Sequence, residues 1–152
     1  MSKIWFVTGA GNGIGAGIVQ AALKAGDRVI STGRNIDKVR NALSDVTAGN
    51  LRFVQLDVTN KPQAKAAVED ALNHFGRIDV LVNNAGYSLL GNFEELLTEE
   101  IERQFATNFW GVAYLMLAVL PVMRKQRSGH IFNISLVAGV DGFKHCAGIK
   151  LP

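Results

Sequence analysis

A chain of 152 residues with 48% apolar and 19% charged residues suits a single folded domain with a sizeable core and excludes a disordered or low-complexity class. Its net charge of +3 and its one clustered basic stretch, Arg124, Lys125 and Arg127, argue against nucleic acid as a partner, because that cluster reads as the solvated last turn of a helix. The single Cys146 forms no internal disulfide and no secretory signal precedes the first apolar run, so a reducing compartment and a cytoplasmic location are expected.

A first strand is predicted over residues 3–7, with Ile4-Trp5-Phe6-Val7 as its buried part. Thr8-Gly9-Ala10-Gly11-Asn12-Gly13-Ile14-Gly15 follows, with four glycines in seven residues. A helix then runs to about Ala25, with Ile14, Ile18, Ala22 and Leu23 expected on its apolar face and Gly26 at its end. Strand, glycine turn and helix together are the setting of a phosphate site. Glycine lets an anion approach the backbone, and the free N–H groups of the helix start face it.

Residues 28–32 read as a second strand, 36–46 as a helix and 51–56 as a third strand. Asn60 is placed to cap the next helix, Pro62 is tolerated in its first turn and Gly76 ends it. Residues 79–83 form a fourth strand. Thr98 is expected to cap a long helix, with Glu99 and Glu100 in its first turn and a late kink at Pro121. A fifth strand covers residues 131–135, and residues 139–152 read as a loop. The apolar run 109–123 is shorter than a membrane span, so no membrane is expected. Strict alternation of strands and helices predicts an α/β, Rossmann-type, doubly wound parallel sheet in one domain, 1–152, with a ligand beyond the carboxyl ends of the strands.

Thr-Gly-x-x-x-Gly-x-Gly at Thr8–Gly15 resembles the short-chain dehydrogenase/reductase family. Further motifs match in order and spacing. They are Asp57-Val58 after the third strand, Asn83-Asn84-Ala85-Gly86 after Val80-Leu81-Val82, Asn108-Phe109-Trp110-Gly111 in the long helix and Asn133-Ile134-Ser135 after the fifth strand. The resemblance implies a nicotinamide cofactor, a small carbonyl or alcohol substrate, and no metal. It implies cofactor contacts from Gly9, Gly11, Asn12, Gly13, Ile14, Gly15, Asp57, Val58, Asn83, Ala85 and Gly86. Tyr87, Ser88, Leu89 and Leu90 are candidates to face the substrate.

Strand two ends Ser31-Thr32-Gly33-Arg34-Asn35, with no acid where NAD-selective members have aspartate. A carboxylate repels a 2′-phosphate and a guanidinium pairs with it, so NADP is expected ahead of NAD. The alternative for Arg34 is stacking on adenine. An acid at this place is also what a methyltransferase on a related fold would want.

The catalytic set is incomplete. Asn108 matches the family's helix asparagine, which anchors a water in the proton relay. Ser135 precedes Leu136, and Leu136 holds the usual serine place. The Tyr-x-x-x-Lys pair is absent: Tyr87 and Tyr114 are followed four residues later by Gly91 and Ala118. Family spacing would put the tyrosine near Ile149. Three readings therefore stand: an NADP-dependent oxidoreductase present as its cofactor-binding portion and truncated before the catalytic helix, a non-catalytic dinucleotide-binding module, or an inactive fragment. A helix apolar over residues 109–123 should be buried all round, and with one side uncovered it should drive homo-oligomerisation.

Overall fold

The computed structural model describes residues 2–46 and 48–135. Leu136, Cys146, Ile149 and the predicted loop 139–152 lie outside the described residues. Five parallel strands form one sheet in the order β3-β2-β1-β4-β5. The strands are β1 (Ile4–Val7), β2 (Arg28–Gly33), β3 (Leu51–Gln55), β4 (Val80–Asn83) and β5 (His130–Asn133). The helices are α1 (Gly13–Lys24), α2 (Ile36–Ala42), α3 (Lys61–Phe75), α4 (Thr98–Phe105) and α5 (Gly111–Gln126), with a π-helical turn (Ala106–Trp110) joining the last two. Strand order reverses between β1 and β4, where Val7 pairs with Val82.

Alternation along each strand sorts the core into two layers. Ile4, Phe6, Ile30 and Leu81 face α3 and α5, packing with Leu56, Val68, Leu115 and Val119. Val7, Val29, Val80 and Val82 face α1 and α2, packing with Ala16, Val19, Val39 and Leu43. The Asp79 carboxylate accepts from the Ile4 N–H at 2.9 Å and so ties the start of β4 to β1. Arg52 on β3 donates twice to Asp70 on α3, at 2.9 and 3.2 Å.

The capping residues act as their chemistry dictates at two of three helices. Asn35 and Asn60 each accept a backbone N–H three residues on, at 3.0 Å, and Gly76 closes α3 at φ +80°. Thr98 does not cap α4. Leu97 is the cap residue, and Glu100 reaches back to accept its N–H at 3.2 Å, which satisfies the donor of the cap residue itself.

Other boundaries shift too. Helix α2 ends at Ala42 rather than 46, because Leu43 leaves helical geometry at φ −123°. On α1 the buried face is Gly15, Ala16, Val19 and Ala22, while Ile14 is 63% exposed, so the predicted apolar face is rotated. Pro121 lies inside α5, which continues to Gln126. The apolar run 109–123 belongs to a continuous helical stretch of 29 residues, Thr98–Gln126, long and apolar enough by length and composition to cross a membrane. Its Leu115, Val119 and Met123 are buried against the sheet layer, whereas Phe109, Trp110 and Leu117 are exposed. Burial all round is therefore not what this helix has.

Candidate functional site

The glycine loop leaves β1 at the point where strand order reverses, and Thr8 locks it there. Its hydroxyl accepts the N–H groups of Asn84 and Ala85, both at 3.0 Å, and donates to the Val82 carbonyl at 3.3 Å. Asn84 answers from the other side, its amide donating to the carbonyls of Thr8 and Gly9 at 3.0 and 3.1 Å. Two strand ends separated by more than seventy residues are thus stitched into one rim.

Close approach explains the glycines at two places. A Cβ on Gly9, at φ +67°, would lie 2.8 Å from the Ala85 Cα. A Cβ on Gly15 would overlap the Gly9 carbonyl and the Asn84 amide. At Gly13, by contrast, nothing of the protein lies within 4 Å. The loop is tight against β4 and open outward, as an anion-accepting turn requires. Asn12 is the cap residue of α1, yet its side chain makes no capping bond. Exposed Ile14 stands at the same helix start.

At the end of β2 one methyl fills the space beside Gly33. A Cβ on Gly33 would come 2.7 Å from Cγ2 of Val39, which is buried on α2. An acid at this position therefore requires Val39 to move. Arg34 is exposed and has no ion-pair partner among the described residues. Its carbonyl accepts from Gln55 at 3.2 Å, which fixes the backbone there.

The remaining candidates separate by role. Oδ1 of Asp57 is engaged by the N–H and hydroxyl of Thr59, at 3.0 and 2.8 Å, a local turn that leaves Oδ2 without a protein partner among the described residues. The Val58 side chain is buried in the core, and a Cβ on Gly111 would press on it at 2.7 Å. Asn83 is buried too, and its amide donates to Asn133 at 2.9 Å. The Val58 side chain is thus committed to the core and the Asn83 amide to β5. Ala85 and Gly86 follow on the rim.

Asn108 sits in the π-helical turn, exposed and fully engaged. It donates to the Tyr87 carbonyl at 2.8 Å and accepts the Tyr87 N–H at 3.2 Å. A Cβ on Gly86 would stand 3.1 Å from Asn108 Oδ1, so glycine permits this close pairing. Gln104, one helical turn earlier, adds a bond to the same carbonyl at 3.3 Å. Ser135 lies just beyond β5, exposed. Thr8, Asn84 and Gln104 were not among the predicted site residues. Gln104 was findable, because it precedes Asn108 by four residues and shares its helix face.

An open parallel sheet, a reversal of strand order beside a glycine loop, and helices on both faces make this a Rossmann-type fold. The chain belongs to the short-chain dehydrogenase family, whose model matches residues 3–148. It is 42% identical over 142 residues to oxidoreductase BOA17 of Botryotinia fuckeliana, covering 93% of this chain and 52% of that protein. It is 39% identical over 134 residues to an uncharacterized oxidoreductase of Schizosaccharomyces pombe, C162.03, covering 88% and 44%. A short-chain dehydrogenase from Streptomyces avermitilis superposes with a TM-score of 0.92 at 37% identity, over 98% of this chain and 55% of that one. ElxO with NADP bound gives 0.91 at 35%, over 98% and 61%. The chain thus spans about half the length of the curated relatives it matches.

Proposed function

We propose that this chain binds NADP(H) and is the cofactor-binding portion of an oxidoreductase of carbonyl or alcohol substrates. The observation that carries this reading is the end of β2. Gly33 is wedged by Val39, which opposes an acid there, and Arg34 beside it has no ion-pair partner among the described residues. NADP in the similar ElxO structure supports the same cofactor class.

The donors present fit a dinucleotide. Gly9, Gly11, Asn12, Gly13, Ile14 and Gly15 would surround the pyrophosphate, because this turn is open outward and ends in free helical N–H groups. Arg34 would pair with the 2′-phosphate, Asp57 Oδ2 would stand at the adenine, and Ala85 and Gly86 would border the ribose over Asn83 and Val58. The bound cofactor supplies hydride chemistry. Asn108 and Gln104 hold the Tyr87 backbone, so the segment after β4 keeps one position beside the crevice. Ser135 would be left to hold a substrate oxygen, in place of Leu136.

The second reading is a non-catalytic dinucleotide-binding module. It is favoured by Leu136 in the usual serine place, since a leucine side chain neither donates nor accepts a hydrogen bond. Fluorescence titration with NADPH and NADH tests the binding claim. Tighter binding of NADPH is expected, with Arg34→Ala weakening it about tenfold, as a charge-assisted pair warrants. Equal affinities would sink it. Ketone-dependent NADPH oxidation above background in the same samples would exclude the non-catalytic module.

A further inference from the structure

The glycine loop, the end of β2 and the start of α2 meet at one point. A single methyl, Val39 Cγ2, lies 2.7 Å from a Cβ placed on Gly33 and 3.6 Å from one placed on Gly11. Lys38 is the neighbouring residue on α2. Its Cγ and Cδ lie 3.5 and 3.7 Å from that same point on Gly11. The aliphatic stem therefore lies on the side of Gly11 where a side chain would stand, and the ammonium, two bonds past Cδ, is within reach of the same rim. The position is fixed from below, because Asn35 caps α2 by accepting the Lys38 N–H at 3.0 Å.

Charge accounting points the same way. Residues 34–40 carry Arg34, Asp37, Lys38 and Arg40. Asp37 is paired with Arg40 at 3.2 Å, which neutralises the one acid in the segment. Arg34 and Lys38 are left as exposed cations without an ion-pair partner among the described residues. Asp57, beyond the end of β3, has Oδ1 engaged by Thr59 in its own loop.

We infer that Lys38 is a second cationic determinant for the 2′-phosphate of the adenosine ribose, acting from the glycine-loop side while Arg34 acts from the end of β2. This rests on the proposed NADP(H) binding and deepens it. A phosphate carrying two negative charges is matched by two cations rather than one, and a point-charge ammonium on a flexible stem complements a planar guanidinium.

The test is a titration of the full 152-residue chain with NADPH, NADH, adenosine 2′,5′-bisphosphate and adenosine 5′-monophosphate, using Lys38→Met, Lys38→Arg and Arg34→Ala. Methionine keeps the stem and removes the charge. Lys38→Met is expected to weaken both 2′-phosphorylated ligands about fivefold, the upper end for one exposed ion pair. It leaves the two ligands that lack a 2′-phosphate unchanged, and the difference disappears in 1 M salt, where the Debye length is about 3 Å. Lys38→Arg retains the preference. Equal weakening of all four ligands would overturn the inference in favour of a packing role for the stem. So would an unchanged preference in Lys38→Met alongside a lost one in Arg34→Ala. A wild-type chain with no preference for the 2′-phosphate would overturn the NADP(H) reading itself, and this inference with it.

Discussion

Thr8 concentrates more structure in one hydroxyl than any glycine around it. It is 1% exposed and serves three backbone groups on β4 and the turn after it. Replacing it by valine keeps the shape and leaves two N–H groups, those of Asn84 and Ala85, without their acceptor. Each orphaned donor costs about 1–3 kcal/mol, so Thr8→Val should lose about 2–6 kcal/mol of stability. Thr8→Ser keeps the hydroxyl and should lose much less. Urea unfolding of both variants measures this. A Thr8→Val midpoint equal to that of the wild type would mean that water replaces the hydroxyl. The same residue links stability to the candidate site, because the groups it holds form the rim at Gly9 and Ala85.

The long helical stretch is three elements, and the middle one holds the Tyr87 backbone. A π-helical turn presents an extra backbone residue per turn, and such turns recur at functional sites. Here it sets Asn108 against both polar groups of the Tyr87 backbone, with Gln104 one turn away on the same carbonyl. The two amides are not equivalent. Asn108 uses its oxygen and its nitrogen, whereas Gln104 is buried with Oε1 lacking any partner. Asn108→Ala should therefore free the Tyr87 amide and raise its hydrogen exchange by tenfold or more, about the worth of one such bond at 1.4 kcal/mol. Gln104→Leu removes a weak bond and an unsatisfied oxygen together, so its effect on stability should stay below about 1 kcal/mol. Exchange mass spectrometry reports both. Equal exchange at Tyr87 in the wild type and Asn108→Ala would assign the hold on this segment to other contacts.

At the scale of the molecule, the helix layers cover the sheet unevenly. Most of β1 and β2 is buried between α1 and α2 on one face and α3 and α5 on the other. Toward β5 the cover is incomplete. Phe109, Trp110 and Leu117 are 57%, 51% and 62% exposed on one side, and Phe132 and Ile134 are exposed on the other. There an apolar groove runs between Trp5, Ile18, Ala22, Val82, Phe132 and Ile134. Burying a large apolar side chain is worth roughly 1.5–3 kcal/mol, and apolar patches of this kind drive association. The chain should self-associate at micromolar concentration through the α5 face. Sedimentation velocity should show the monomer recovering in Leu117→Lys, which places a charge in the middle of that face. A wild-type chain that sediments as a monomer and binds no hydrophobic dye would refute this.

Periodicity and turn chemistry were enough for the order of the strands in the chain, the parallel sheet and the glycine loop, because each is written locally: apolar runs of four or five residues, Asn35 and Asn60 before helices, Gly76 after one. Family motifs carried the candidate rim for the same reason, since Gly9–Gly15, Asn83–Gly86 and Asn108 are contiguous strings. What the sequence left unsettled depends on contacts between distant segments. That Asn83 turns to Asn133, that Val58 lies beneath Gly111 and that Val39 presses on Gly33 follow from strand register and from how α2 docks. No local pattern encodes those distances. At α4 the expected Thr98 cap gave way to a bond in the other direction along the chain, the Glu100 carboxylate accepting the Leu97 N–H. The apolar helix kept only one face in the core because burial is decided by the neighbours a helix finds, and composition states only what it would gain by finding them.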